Sequence, residues 1–334
     1  MEPIIFSIET SCDETAVAIL KGKNEVLSHL VVSQIDIHKI FGGVVPEIAS
    51  RKHLNYLNKL TEKAFSEANI KPEEISAIAV TYGPGLVGAL LIGLNFAKGL
   101  ALNLNKPLIG VNHLYGHIYA NFLAFPELKP PFLVLLVSGG HTMILHAKDF
   151  LHFEIVGQTM DDAAGEAFDK VARMLNLGYP GGPKIDKLAQ NGDPIYDFPR
   201  PLYHKGYDFS FSGLKTSLLY FTKENKNYKI EDVAASFQKA LIDTLIHKTI
   251  KASKDLKVNN IIIAGGVAAN SYLRKKINEE QEKNNKLNIY FPPLNLCTDN
   301  ALMIARAAYE KYIRNKFADL KLDAMPNLGL KDIC

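Results

Sequence analysis

Apolar residues along this chain come in short runs separated by polar or glycine-rich turns, and the runs recur in order. Ile4 to Ile8 is apolar, the turn ETSCDET follows, and Ala16 to Leu20 is apolar again, a pattern that predicts a β-hairpin. PFLVLLV (Pro131 to Val137), the turn SGGHT and then MILH repeat the same plan. A second kind of unit, strand to glycine turn to helix, occurs as ISAIAVTYGPG and again as NNIIIAGGVAAN. Two paired units in the same order predict an α/β protein built by internal duplication, with a cleft between its halves that the hairpin turns face. The boundary is expected at FPELKPP, Phe125 to Pro131, whose prolines cannot continue a helix. A last helix is expected over about Asn300 to Asn315, with Asp299 as its cap. The expected halves are therefore residues 1–129 with a returning segment of about 300–334, and residues 130–299 carrying the ligand and substrate loops.

Length and composition agree with this picture and add limits. A chain of 334 residues exceeds what one hydrophobic core usually organises. With 47% hydrophobic and 22% charged residues, folding is expected throughout. A net charge of +3 is too small to name a partner, although it leaves room for a local basic face. Cys12, Cys297 and Cys334 are odd in number and form no CxxC pair, which fits a reducing compartment. The start MEPIIFSIE has no signal-peptide character, and Ala89 to Leu104 is interrupted by Asn95 and Lys98 and reads as a buried helix. A cytoplasmic protein without membrane association is expected.

Several strings carry candidate chemistry. GPGLVG, Gly83 to Gly88, matches a dinucleotide fingerprint, but PLIGVNH ends in Asn112 and His113 where a ribose-binding acid is required. It reads as a tight turn whose glycines let a helix pack close to the sheet. GLKT at Gly213 to Thr216 lacks the upstream glycine of a P-loop. Ser138-Gly139-Gly140, Gly181-Gly182 and Gly265-Gly266 can each offer backbone N–H groups to an anion, and together they resemble a nucleotide clamp.

His113 and His117 lie four apart in HLYGHIYANFLAF, which reads as a helix, so both imidazoles fall on one face at metal-binding separation. No glutamate follows His113, which disfavours a metalloprotease. Asp299 in LCTDN is either a third ligand or merely a helix cap. Asp13 and Glu14 in the first hairpin turn are either solvated turn carboxylates or groups that bind a cation or take a proton. Asp169 in GEAFDKVARML is a surface residue or an acceptor for a ligand hydroxyl, and FSFSGLKT, Phe209 to Thr216, stacks a base or packs a loop.

Taken together, IETSCDET, PGLVGALLIG, NHLYGH, VSGGHT, AFDKVARML, YPGGP, YDFSFSGLKT, GGVAAN and CTDNALMIA resemble the TsaD family of tRNA N6-adenosine threonylcarbamoyltransferases over nearly the whole chain. The resemblance implies the duplicated actin, Hsp70 and sugar-kinase (ASKHA, ribonuclease H-like) fold. It also implies acyl transfer from threonylcarbamoyl-AMP to the N6 amine of the adenosine 3′ to the anticodon, in tRNAs reading codons that begin with A. Carried over by motif, His113, His117 and Asp299 become the ligands of one metal ion, usually iron (Fe2+), with zinc the other candidate. Leu136, Val137, Ser138, Gly139, Gly140, Asp169, Gly182, Asp186 and Asn270 become the lining of the adenylate site, and ATP with Mg2+ is a further candidate ligand. Asp13 and Glu14 match the acidic pair needed for activity. The implied partners are tRNA and accessory subunits resembling TsaB and TsaE, with no role for DNA or a membrane. Tyr115 and Lys52 depart from the family, which often has glutamate and aspartate there. The rival readings are a small-molecule kinase or carbamoyltransferase on the same fold, which has no need of the histidine pair, and a non-catalytic nucleotide-binding scaffold.

Overall fold

Strands β1 (Ile4–Glu9) and β2 (Glu14–Lys21) form the first hairpin, and β3 (Glu25–Ser33) extends it antiparallel. The computed structural model describes residues 2–225 and 227–330; Cys334 lies outside the described residues. After the short helix α1 (Ile35–His38) and the long α2 (Pro46–Ala68), β4 (Ala77–Gly83), α3 (Val87–Leu104) and β5 (Leu108–Asn112) add two parallel strands. The sheet order is β3-β2-β1-β4-β5. Helices α4 (His113–Tyr119) and α5 (Asn121–Ala124) follow directly, so the stretch expected as one helix is interrupted at Ala120.

The second set of elements repeats the first. β6 (Phe132–Val137), β7 (Thr142–Ala147) and β8 (Phe153–Gln158) form an antiparallel meander. Helices α6 (Ala164–Met174), α7 (Gly181–Ala189), α8 (Ser212–Glu224) and α9 (Ile230–Leu256) lead to β9 (Asn260–Ala264), α10 (Ser271–Lys283) and β10 (Asn288–Tyr290). Its order, β10-β9-β6-β7-β8, is the first sheet's order read from the other end, with β9 parallel to β6 as β4 is to β1. The final helix α11 (Ala301–Tyr312) then packs on β1, β2 and α4 of the first sheet. Residues thus group into one unit of Met1–Leu128 with Pro293–Cys334 and another of Lys129–Pro292.

Period-two alternation sorts the first sheet into two buried faces. Phe6, Ile8, Val17, Ile19, Ile78 and Val80 join Leu57 and Phe65 of α2 and Leu94 and Ala97 of α3 in one core. Most of the alternate residues are small or polar: Ser7, Ala16, Ala18, Ala77 and Ala79 are fully buried. Ser7 Oγ donates to the carbonyl of Ala301 at 2.7 Å, so the small face is where the alanine-rich α11 comes close. Asn300, rather than the expected Asp299, caps α11: its Oδ1 accepts from Met303 N at 3.0 Å. Asp299 is therefore free of capping duty. Helix α3 is long and apolar enough by length and composition to cross a membrane, yet Leu90, Leu94, Ala97 and Ala101 are buried against the sheet while Leu102 is exposed.

One glycine of α3 is a packing device. A Cβ on Gly93 would lie 2.2 Å from Thr10 Oγ1, whose hydroxyl donates to Ala89 O, whereas one on Gly99 would meet nothing within 4 Å. Two substitutions on one helix should therefore have opposite signs. Gly93→Ala is expected to destabilise by about 1–3 kcal/mol through overpacking, and Gly99→Ala to stabilise by up to about 1 kcal/mol through helix propensity. Urea denaturation of the two variants checks this, and equal effects would remove the close-approach argument.

Candidate functional site

The site in the first unit is built around a carboxylate that the sequence reading passed over. Glu9, the last residue of β1, is fully buried. Its Oε1 accepts from Ser11 N at 2.6 Å, and its Oε2 accepts from Thr81 Oγ1 at 2.6 Å and lies 3.0 Å from His113 Nδ1. Ser11 Oγ is also 3.1 Å from that nitrogen. Burial alone would lift the Glu9 carboxyl, but the charge and hydrogen bond of His113 outweigh it and hold it below its ordinary value.

With Nδ1 directed at Glu9, His113 presents Nε2 on its other side, 3.4 Å from Asp299 Oδ1, and His117 Nε2 lies 3.1 Å from the same oxygen. The i, i+4 rings stand edge to face with centroids 4.7 Å apart. The three ligand atoms all fall within 4.8 Å of one another. The two edges that meet at Asp299 are close to the roughly 3.4 Å edge of a tetrahedron with bonds of about 2.1 Å, and imidazole with carboxylate donors suits a first-row ion. A carboxylate behind a ligating imidazole is the usual support for such a ligand, and Glu9 supplies it. His117 Nδ1 is buried without a hydrogen-bond partner. These residues fit a metal ion. Without a cation, Asp299 and Glu9 outweigh burial and hold the His113 imidazolium well above its ordinary 6.5. The two histidines in turn hold Asp299 well below the usual carboxylate range despite burial.

The acidic hairpin pair belongs to the same unit. Asp13 is buried, and its Oδ2 has no hydrogen-bond partner. Glu14 Oε1 accepts from Ser33 Oγ at 3.1 Å. Burial and the charges of Asp299 and Asp13 lift the Glu14 carboxyl well above its ordinary value. The same burial and the same two carboxylates push the Cys12 thiol far up, which removes it as a thiolate nucleophile. Two elements hold the turn in place. His53 of α2 donates from Nε2 to Cys12 O at 2.9 Å and faces Thr15 Oγ1 through Nδ1 at 2.8 Å, and burial keeps this ring below its ordinary value. Leu86 N donates to Ser11 O at 2.8 Å, so the glycine string buttresses the hairpin turn.

The second unit contains the remaining predicted residues. Ser138, Gly139 and Gly140 form the turn between β6 and β7, and a Cβ on either glycine would meet nothing within 4 Å. Gly182 at the start of α7 is equally open. Leu136 and Val137 are fully buried within β6, so they can reach a ligand only through their main chain. Asp169 Oδ1 accepts from Gly181 N at 2.7 Å; burial lifts its carboxyl against the opposing amides of Gly181 and Gly182. Asp186 accepts from Ser271 N at 3.0 Å and Ser271 Oγ at 2.7 Å, joining α7 to the start of α10. Asn270 caps α10 through Oδ1 and donates from Nδ2 to Gln238 Oε1 at 2.7 Å. Gln238 was not foreseen; only the fold brings it 32 residues back to this loop. Phe209 and Phe211 of FSFSGLKT are buried, with ring centroids 6.1 Å apart, so they pack the loop and cannot stack a base.

Two units of one sheet order, each opening with a hairpin, define an ASKHA-type α/β protein, here with a His-His-Asp group in its first unit. The likeness to solved structures agrees. Full-length HypF in its phosphate- and nucleotide-bound form aligns over 93% of this chain and 46% of that one, with a TM-score of 0.66 and 14% identity. Component A of (R)-2-hydroxyglutaryl-CoA dehydratase from Acidaminococcus fermentans aligns over 94% and 99%, with a TM-score of 0.56 and 16% identity. These show the fold alone.

The family model described as TsaD, tRNA N6-adenosine threonylcarbamoyltransferase, matches residues 25–306. The chain is 59% identical over 329 residues to the tRNA N6-adenosine threonylcarbamoyltransferase of Thermosipho melanesiensis, covering 98% of this chain and 100% of that one. It is 58% identical over 327 residues to that of Kosmotoga olearia, covering 98% of each. The chain belongs to the TsaD family of tRNA-modifying transferases. The small-molecule kinase or carbamoyltransferase reading is not favoured.

The charge array sets a pH dependence for the metal-free protein. An imidazole held above 6.5 favours folding fully below pH 6.5, and that contribution is lost as pH rises through the folded value. Glu9 and Asp299, held below 4.5 and 3.8, favour folding above those values and lose their contribution as pH falls. From these three groups metal-free protein is thus expected to gain most between pH 4.5 and 6.5, and His113→Gln should flatten the alkaline side of its melting profile. Metal affinity should run the other way, rising with pH as the competing proton leaves. Elemental analysis of the His113→Ala, His117→Ala double variant should find the metal gone, and full occupancy would place the site elsewhere.

Proposed function

We propose that the first unit carries out the transfer at its His113, His117, Asp299 group and Asp13–Glu14 turn, and that the second unit binds the donor threonylcarbamoyl-AMP at its glycine loops. The acceptor is the N6 amine of the adenosine 3′ to the anticodon, in tRNAs reading codons that begin with A. The observation that carries the reading is the placement of two histidines, Asp299, Asp13 and Glu14 in one unit of a chain of this family.

His113, His117 and Asp299 would hold the ion, proposed as Fe2+ with zinc the other candidate. Such an ion would supply Lewis acidity toward the donor's carbonyl oxygen or hold its threonyl end. The chain's own residues supply positioning and proton acceptance. An exocyclic amine is a weak nucleophile because its lone pair is delocalised into the ring, so it must be oriented and must lose a proton as it attacks. Attack forms the N6–carbonyl bond, the bond from that carbonyl to the phosphate oxygen breaks, and AMP leaves with the electron pair. The proton passes to Asp13 or Glu14. Asp13 Oδ2 is a buried acceptor without a hydrogen-bond partner, and Glu14, held above the usual carboxylate range, is the better matched to exchange a proton.

In the second unit, the open N–H groups of Gly139, Gly140 and Gly182 suit a phosphate, and Asp169 and Asp186 suit hydroxyls of ribose or threonine. ATP with Mg2+ is a further proposed ligand of these loops. The proposed partners besides tRNA are accessory subunits resembling TsaB and TsaE. The proposed location is the cytoplasm, in keeping with the free cysteines Cys12 and Cys297.

The test supplies tRNA, threonine, bicarbonate, ATP, the adenylate-forming enzyme and the accessory subunits, then digests the RNA and weighs its nucleosides. Threonylcarbamoyladenosine is expected, with the rate down by about 10²–10⁴-fold for Asp13→Ala combined with Glu14→Ala. An unchanged rate would remove the pair as the base. Calorimetry with the adenylate should show weaker binding for Gly140→Val, whose branched side chain would enter open space and leave the fold intact; equal affinity would leave that loop a simple turn.

A further inference from the structure

A second cluster of chemistry lies in the second unit, apart from the glycine loops. A pocket of about 390 Å³ opens where the last turns of α9 meet α10 and the segment 200–207. One wall is a stacked pair: the Tyr203 and His247 rings have centroids 4.1 Å apart and planes within 16°. Ile246 and Ile250 give it an apolar floor. At the rim stand Lys251, half-buried with its ammonium 4.9 Å over the Tyr207 ring, and Lys254, exposed.

The acids at this pocket already have partners. Asp243 accepts from Arg200 at 3.1 Å and Lys239 at 2.6 Å, Asp255 from the Tyr207 hydroxyl at 2.7 Å, and Glu280 from Lys283 at 2.7 Å. Lys251 and Lys254 have no carboxylate at ion-pair distance among the described residues. Nearby, Lys248 is fully buried, and its ammonium donates only to carbonyls, those of Leu202 at 2.7 Å, Lys205 at 2.8 Å and Gly206 at 3.4 Å. Burial and the charge of Lys251 hold that ammonium below its ordinary value. Burial, with His204, Lys248, Lys251 and Lys254, does the same to His247. Lysines in a last turn complement the helix dipole, which explains Lys254 but neither the stacked rings nor a buried lysine with no counter-charge in contact.

We propose that this pocket is an RNA contact in which an unpaired base lies against the Tyr203–His247 stack while Lys251 and Lys254 meet its flanking phosphates. Flat rings over an apolar floor with cations at the rim are the combination that binds single-stranded nucleotides, whereas an acidic protein segment would have no use for a planar slot. The pocket is also connected to the proposed donor loops within its own unit. Ser271, at the start of α10, bonds Asp186, and Lys276 of the pocket lies five residues further along that helix, about 7.5 Å of rise. The inference rests on tRNA being the acceptor and says where part of it is gripped.

The test uses the full chain, fluorescent tRNA and a salt titration. Lys251→Gln with Lys254→Gln should weaken binding about tenfold and lower the slope of log affinity against log salt by about 2. Tyr203→Ala should weaken it about tenfold with the slope unchanged. In the modification assay the lysine pair should raise KM for tRNA and leave kcat alone, and photo-crosslinking with 4-thiouridine tRNA should mark the peptides holding Tyr203 or His247. The lysine variants keep the proposal testable should Tyr203→Ala unfold. Binding and slope within about twofold of wild type, adducts confined to other peptides, displacement of tRNA by ATP with an equal loss of ATP binding in the variants, or no tRNA binding by the wild type would each overturn it. A wild type that binds tRNA through these residues yet yields no modified nucleoside would instead count against the proposed chemistry alone.

Discussion

A fully buried carboxylate costs several kcal/mol unless its lone pairs are met, and Glu9 is met by three donors from three different elements. Ser11 belongs to the hairpin turn, Thr81 to β4 and His113 to α4, so one side chain fixes the end of β1, the register of its parallel neighbour and the first turn of the helix that carries the histidines. The same contact sets the His113 ring. With Nδ1 held by Glu9, the free edge of the ring is Nε2, and that edge meets Asp299. The geometry of the candidate metal group thus depends on a residue that is not part of it.

Charge imposes the next constraint. Glu9, Asp13, Glu14 and Asp299 gather four carboxyl groups in one unit with the His113 and His117 imidazoles. The fold answers in two ways. It charges His113, which lowers Glu9 and Asp299, and it leaves Glu14 raised, near neither histidine's hydrogen bonds. An array that holds one carboxyl up and two down is costly as pure structure, and it supports the proposed division between cation ligands and proton acceptor. Asn300 completes the arrangement by taking the cap of α11, which leaves the Asp299 carboxylate to the histidines.

The duplicated topology was legible because each hairpin is an apolar run, a polar turn and another apolar run, and because the strand, glycine turn and helix unit follows in both cases. The i, i+4 histidines were legible for the same local reason. Long-range partners were not. Glu9 reads as the end of a strand before a turn, and nothing nearby announces Thr81, 72 residues on, or His113, 104 residues on. The expected capping role of Asp299 failed by one residue because Asp and Asn are near-equal caps, and only the extended backbone of Asn300 decides between them. Leu136 and Val137 were named from a motif that gives no side-chain direction, and a strand buried on both faces leaves neither of them exposed. The phenylalanines of FSFSGLKT look alike in a base platform and in a packed loop; burial separates the two.

A net charge of +3 conceals how unevenly the cations are distributed. Several surface lysines are paired locally with i, i+3 or i, i+4 partners, such as Lys39 with Asp36, Lys63 with Glu67 and Lys283 with Glu280. Such pairs contribute little stability, but they flatten the field around them. Lys251 and Lys254 have no such ion-pair partner among the described residues, and aromatic rings stand beside them. A polyanion approaching a nearly neutral surface gains little from general attraction, because only uncompensated cations release counterions from its phosphates. It gains most at a local exception, so for a chain of this composition a few unpaired lysines beside a stacking surface are worth more for positioning RNA than a larger overall charge would be.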